Sequence, residues 1–164
     1  MEESLRVSSP LPATIRRATV DTVLLGRKIP KDTDVFIVVD GPSYRKPSIP
    51  VSDHLRSETS RTKHQYGSWD PEDIHVFKPE RWLKTDEHGQ EVFDNRSGPM
   101  MAFSSGPRGC FGKRLAYLQL RIVLTLLVWN FEFHQLPQEL ASHDAVDHIT
   151  TCPVKCFVAL SKTS

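Results

Sequence analysis

The chain has 164 residues, 38% of them hydrophobic, and its 21 Lys and Arg against 20 Asp and Glu leave a net charge of +1. That balance excludes nucleic-acid or membrane-surface binding by charge alone, so no nucleic-acid partner is expected. Three scattered cysteines are too few for a disulfide framework and point to a reducing compartment. The polar N-terminus reads as neither signal peptide nor anchor, and the longest apolar run, from Ile122, is too short to span a bilayer as a helix.

Residues 2–8 read as a helix closed by Pro10 and Pro12, because proline lacks an amide donor and forces its predecessor extended. At under two turns it is too short to be stable alone, so the chain reads as cut into an element that starts earlier. Residues 22–25 and 35–39 are β-branched and apolar, with turn residues between them, which predicts a hairpin or two short strands. Residues 41–68, with Pro42, Pro47 and Pro50 and many charges, read as a long surface loop holding a short helix near 53–60. Asp70 before Pro71 predicts an Asp-capped helical turn, and irregular chain follows to Phe103.

After a glycine-rich loop, residues 113–130 form the strongest helix signal. Leu115, Leu118, Ile122, Leu126 and Trp129 share one face, and Leu120, Val123, Leu124 and Leu127 extend the apolar surface nearly all round. Such a helix is expected inside a protein, and in this chain its large apolar face from Leu118 to Trp129 is expected to lack much of its packing partner, which makes folding marginal. Two strand-like stretches, "NFEFHQL" and "HITTCPVKCFVAL", complete the chain.

The loop "FSSGPRGCFG", residues 103–112, holds Cys110 among Gly106, Gly109 and Gly112. The glycines permit sharp turning and close approach of backbone amides to the sulfur. The start of the following helix favours an anion. A thiolate there is a nucleophile or a metal ligand. Partners for several thiol chemistries are missing. Arg114 comes too soon to close a phosphate loop, and no histidine pairs with Cys110 by pattern. Cys152 and Cys156 lack a matching pair for zinc. Neither a preceding strand nor a terminal Lys-Ser/Thr supports a nucleotide-phosphate loop.

Phe103, Gly106, Arg108, Cys110 and Gly112 fill the pattern FxxGxRxCxG. "ESLR" supplies Glu3 and Arg6 one helical turn apart, and "FKPERW" supplies Arg81. In this order the motifs resemble the cytochrome P450 family, the haem-thiolate monooxygenases, over nearly the whole chain. "GKRLA" also resembles the family's continuation, although Gln119 stands where many members carry Glu.

The resemblance implies that Cys110 is the axial ligand of haem b (iron protoporphyrin IX) and that Phe103 shields the iron–sulfur bond. It implies that Arg108 and Arg16 meet haem propionates. Glu3, Arg6 and Arg81 would form a structural triad in which two arginines grip one carboxylate. The implied fold is α+β, the proximal C-terminal part of a mostly helical architecture. Its parts are the ExxR helix at 1–9, strands within 20–40, a loop insertion at 41–68 like that of some fungal members, and a meander at 69–102. The ligand loop at 103–112, the long helix at 113–130 and strands within 131–164 follow.

The implied activity is oxygen insertion into a small organic substrate, in secondary metabolism, with electrons from an NADPH-dependent reductase. No AGxxT-like distal segment and no membrane anchor is found, so no catalytic residue is assigned within the chain. The family's frequent attachment to the endoplasmic reticulum is not encoded here. A non-catalytic haem-binding remnant and a small haem-free thiol redox protein stand as the other readings.

Overall fold

The computed structural model describes residues 1–62 and 66–163. The chain divides into two compact units, Glu2–Ala102 and Phe103–Ser164, the second including Met1.

In the first unit, α1 (Glu2–Val7) carries Glu2 and Glu3 in its first turn and Arg6 in its last, the order that the helix dipole favours. The strand β1 (Ala13–Arg17), which the sequence reading missed, pairs antiparallel with β4 (Asp34–Val38). Between them β2 (Thr22–Leu24) turns straight into β3 (Arg27–Ile29). The two strands expected near 22–25 and 35–39 therefore exist, but they are not partners in one hairpin. They are the two short strands of the second alternative, and a tight turn explains why β2 pairs with β3. Leu25 and Gly26 take φ of +47° and +77°, as a two-residue type I′ turn requires. Leucine rarely adopts that region, so the sequence carries only half of the usual signal.

Within residues 41–68 a 3-10 turn at Asp53–Leu55 and the helix α2 (Glu58–Thr62) replace the single short helix expected. Residues 63–65 of that loop lie outside the described residues. Asp70 does cap a turn, accepting from the Glu72 amide at 3.0 Å, yet no helix follows. A 3-10 turn, Pro79–Trp82, leads into β5 (Leu83–Thr85). β5 pairs with β6 (Glu91–Phe93) in a stretch read as irregular from sequence.

The apolar core of this unit is small: Val39, Trp69, Ile74, Trp82 and Ala102. Trp69 meets Trp82 edge-on with ring centroids 4.9 Å apart, and Trp82 stacks on Phe93. Glu3 and Arg6 are as deeply buried as those aromatics, so the unit folds around charge as much as around hydrocarbon.

In the second unit, α3 (Lys113–Asn130) has the span that its periodicity predicts. It leads into β7 (Phe131–His134), which pairs with β10 (Ala159–Lys162), while β8 (Ala145–Asp147) pairs with β9 (Thr151–Pro153). The face of α3 from Leu118 to Trp129 lacks much of its packing partner, as expected. None of its residues is buried, and Leu118, Ile122 and Leu126 are each more than half exposed. Periodicity reports which residues are apolar; it does not report what covers them, and the elements of this unit cover little of α3. Among the described residues no helix is long and apolar enough to cross a membrane.

Candidate functional site

Two arrangements hold the residues that the motifs single out. The first is built on α1. Glu3 and Arg6 stand three residues apart on one face, and their side chains are both about 1% exposed. Arg6 grips Glu3 with two parallel bonds, Nε to Oε2 at 2.9 Å and Nη2 to Oε1 at 2.7 Å. Its remaining donors reach the carbonyls of Tyr44, Ile74 and Val76, so all five of its N–H groups are used. Arg81, from the 3-10 turn, donates Nε to Glu3 Oε1 at 3.1 Å. The structure thus brings Glu3, Arg6 and Arg81 together.

Four further participants were not assigned to this cluster from the sequence, although Trp69 and Trp82 read there as packing groups and are buried. The Trp82 indole Nε1 donates to Glu3 Oε2 at 3.0 Å, and the Lys78 amide donates to Oε1 at 3.0 Å. Asp73 accepts from Arg81 Nη1 at 2.8 Å and from Lys78 Nζ at 2.6 Å. The face of Trp69 lies 5.6 Å from both the Arg6 and the Arg81 guanidinium carbons, a cation–π position for each. Trp69 in turn donates to the Pro99 carbonyl at 3.0 Å and packs so closely on Gly98 that a Cβ there would stand 2.4 Å from the ring. Only "PERW" hinted at any of this, by placing an indole beside Arg81.

Burial by itself would push the Glu3 carboxyl up. The hydrogen bonds from Arg6, the Lys78 amide and Trp82, together with the Arg6 charge, outweigh it and lower the pKa from 4.5 to about 2. Glu3 is thus a permanent anion near neutral pH. Asp73 is also held below the ordinary carboxylate range, chiefly by its hydrogen bonds from Lys78 and Arg81.

The second arrangement is the cysteine loop. Ser104 and Gly106 take positive φ, +56° and +65°, and Gly106–Arg108 forms a 3-10 turn. The Gly109 amide closes on the Gly106 carbonyl at 3.0 Å, and the Cys110 amide reaches back to the Phe103 carbonyl at 2.8 Å. A Cβ on Gly109 would stand 3.2 Å from that Gly106 oxygen, and one on Gly112 would stand 3.8 Å from Cys110 Sγ. Gly112 then caps α3, whose first bonds run from the Lys113 amide to the Cys110 carbonyl and from the Ala116 amide to the Gly112 carbonyl.

The Cys110 side chain is exposed, and no backbone amide of the described residues donates to its sulfur. The expected approach of amides to sulfur is therefore not seen: the Cys110 amide is spent on closing the loop. Arg108 is exposed with no hydrogen-bond partner among the described residues. Phe103 tilts against Tyr117 of α3, centroids 5.4 Å apart. Arg16, on β1, donates Nη1 to Thr14 Oγ1 at 3.0 Å and to the Ile15 carbonyl at 2.8 Å.

This loop offers one soft donor. Among the described residues no three His, Cys, Asp or Glu gather as ligands for a bare metal ion. A single accessible sulfur suits a metal whose other donors come from a macrocycle, and the free guanidinium of Arg108 suits that macrocycle's carboxylates. The residues therefore fit a haem.

Comparison with known proteins gives the same direction. The family model described as Cytochrome P450 matches residues 67–151. The "Hps1-dma1 cluster cytochrome P450 monooxygenase cyp3.1" of Dothistroma septosporum is 38% identical over all of this chain and 56% of its own length. The "Cytochrome P450 monooxygenase TRI13" of Fusarium sporotrichioides is 40% identical over 99% of this chain and 30% of its own length. The chain thus spans about half or less of the relatives it matches. Among solved structures, the cytochrome P450 CYP102L1 superposes with a TM-score of 0.67 at 23% identity, over 98% of this chain and 30% of that one. A zebra fish cytochrome P450 gives 0.66 at 22%. At those identities the likeness bears on fold, and the fold is a part of theirs.

Proposed function

The chain belongs to the cytochrome P450 family, and from that premise we propose that it is the haem-ligating portion of a monooxygenase that inserts oxygen into a small organic substrate. The observation that carries the reading is the Cys110 loop: one exposed, unpartnered thiol at a fixed bend, two residues beyond an unpartnered arginine.

The group we propose is haem b. Cys110 would ligate its iron, Phe103 would shield the sulfur from water, and Arg108 and Arg16 would hold the propionates. Bound there, haem supplies the oxygen-activating chemistry, and a thiolate ligand favours O–O cleavage. The chain's own part would be to present the sulfur at a fixed bend, hold the macrocycle's carboxylates and fix the meander through Glu3, Arg6 and Arg81. Electrons would come from an NADPH-dependent reductase. The fungal relatives support a role in secondary metabolism.

The test is the absorption spectrum of the reduced, carbon monoxide-bound protein, expressed as the full chain with haem supplied. A thiolate-ligated band, lost in Cys110→Ser, is expected. Arg108→Gln should keep the band's position and weaken haem retention. Absence of haem uptake, or a band indifferent to Cys110→Ser, would overturn the assignment.

A further inference from the structure

We infer that Ser48 is a phosphorylation site for a basophilic protein kinase, read through Arg45 and Lys46. The loop around it plays no part in the haem reading and stands or falls separately. Residues 45–49 read Arg-Lys-Pro-Ser-Ile. Two cations thus lie three and two positions before a hydroxyl, and an aliphatic side chain follows it. Kinases discriminate substrates by such charge patterns, with acidic subsites for the cations and an apolar one for the residue after the acceptor.

The structure presents this pattern in usable form. Amides of Tyr44, Arg45 and Lys46 all turn onto the Gly41 carbonyl, at 3.1, 3.0 and 3.3 Å. Arg6 pins the turn by donating to the Tyr44 carbonyl at 3.1 Å. From that anchored turn the chain leaves without helix or strand through Pro47, Ser48, Ile49 and Pro50, each exposed. The prolines keep their predecessors extended, the conformation in which a kinase cleft receives a substrate. Ile49 is 67% exposed, free to fill an apolar subsite. The Ser48 hydroxyl has no hydrogen-bond partner among the described residues.

Arg45 supplies the independent observation. Its Nε is buried and has no hydrogen-bond partner. Such a donor is costly to leave unmet, so the fold gains by giving it an acceptor. A phosphate on Ser48, three residues away in the same chain, would offer one, with Lys46 beside it.

In the transfer, Ser48 Oγ bonds to the γ-phosphorus of ATP while the bond to the bridging oxygen breaks. ADP leaves, and the hydroxyl proton passes to the kinase's base.

The experiment incubates the full chain with MgATP and the catalytic subunit of a cyclic AMP-dependent protein kinase. One phosphate per chain, mapped to Ser48 and absent from Ser48→Ala, is expected. Arg45→Gln should lower kcat/KM about tenfold or more, the worth of one charge-assisted contact. Labelling that survives Ser48→Ala would overturn the proposal. So would equal labelling of Ser48 in wild type and Arg45→Gln, or by an acid-directed kinase. Far-UV circular dichroism of each variant separates lost recognition from lost folding; failure of folded wild-type chain to take up phosphate also overturns it.

Discussion

Glu3 in the first unit and Cys110 in the second are both named by the motifs, and the two units house them in opposite ways. Glu3 is 2% exposed and accepts from two arginines, an indole and a backbone amide. Cys110 is exposed, its sulfur meets no donor, and Phe111 beside it is fully in solvent. The same chain therefore contains one charged group whose partners are complete and one thiol whose partner has to be supplied. A satisfied buried ion stabilises a fold only in company: removing one partner strands the rest. An unsatisfied, exposed donor costs the fold little and is available to a ligand.

The comparison breaks most sharply at Glu3. Glu3→Gln keeps the shape and removes the charge, leaving two buried guanidiniums without their carboxylate. A loss of about 3–5 kcal/mol in the stability of the Glu2–Ala102 unit is expected. Trp69 and Trp82 lie in that unit and Trp129 on α3, so urea unfolding followed by tryptophan fluorescence in a Trp129→Phe background reads the right region. A loss under about 1 kcal/mol, the size of an exposed pair, would erase the distinction between the two sites.

Acid probes the same contrast less severely. The Glu3 carboxyl sits at about 2 in the folded chain against 4.5 unperturbed. The unfolded state therefore binds the proton first, and stability must fall as the pH drops. The contribution is complete above pH 4.5, declines below it, and is gone once the pH passes through about 2. Its size is roughly 3 kcal/mol, from the shift itself. Stability measured from pH 6 down to about 2 should carry this slope in wild type and lack it in Glu3→Gln. Asp73 and Asp94, both lowered by hydrogen bonds from lysines and other groups, tilt both proteins in the same direction, so the difference between the two isolates Glu3.

How far the sequence showed this depends on the range of the interaction. Glu3 with Arg6 is a one-turn spacing, and the ligand loop is ten consecutive residues; local patterns of that kind are legible. Arg81 was legible only because "FKPERW" completes an ordered set of motifs. Trp69, Asp73, the Lys78 amide and Gly98 join the cluster through chain reversals that no short spacing encodes. The strand β1 was lost because "ATIRR" has a single large apolar residue, and its partner is fixed by a turn with leucine at positive φ. For α3 the limits are instructive in the other direction. Its ends were plain from the periodicity, and the lack of a packing partner for its large face was expected, while how little the second unit covers each residue was not, because burial belongs to whatever packs against a helix.

That environment is the smallest effect and the finest test. Leu126 on α3 is 57% exposed, next to Ile122 at 51% and Trp129 at 79%. A covered leucine replaced by a polar or smaller residue costs about 2–5 kcal/mol; an uncovered one stays within about 0.5 kcal/mol. Leu126→Lys is therefore expected to leave the thermal midpoint of the full chain nearly unchanged and to reduce its self-association, since the patch it interrupts is large and apolar. Both readings are needed. A marked drop in midpoint would mean that α3 is covered in solution, and the contrast between a finished first unit and an open second one would then fail. An unchanged midpoint with better solubility keeps the contrast. The apolar surface that periodicity assigns to a protein interior is then one the chain presents outward, beside the same loop that presents its sulfur.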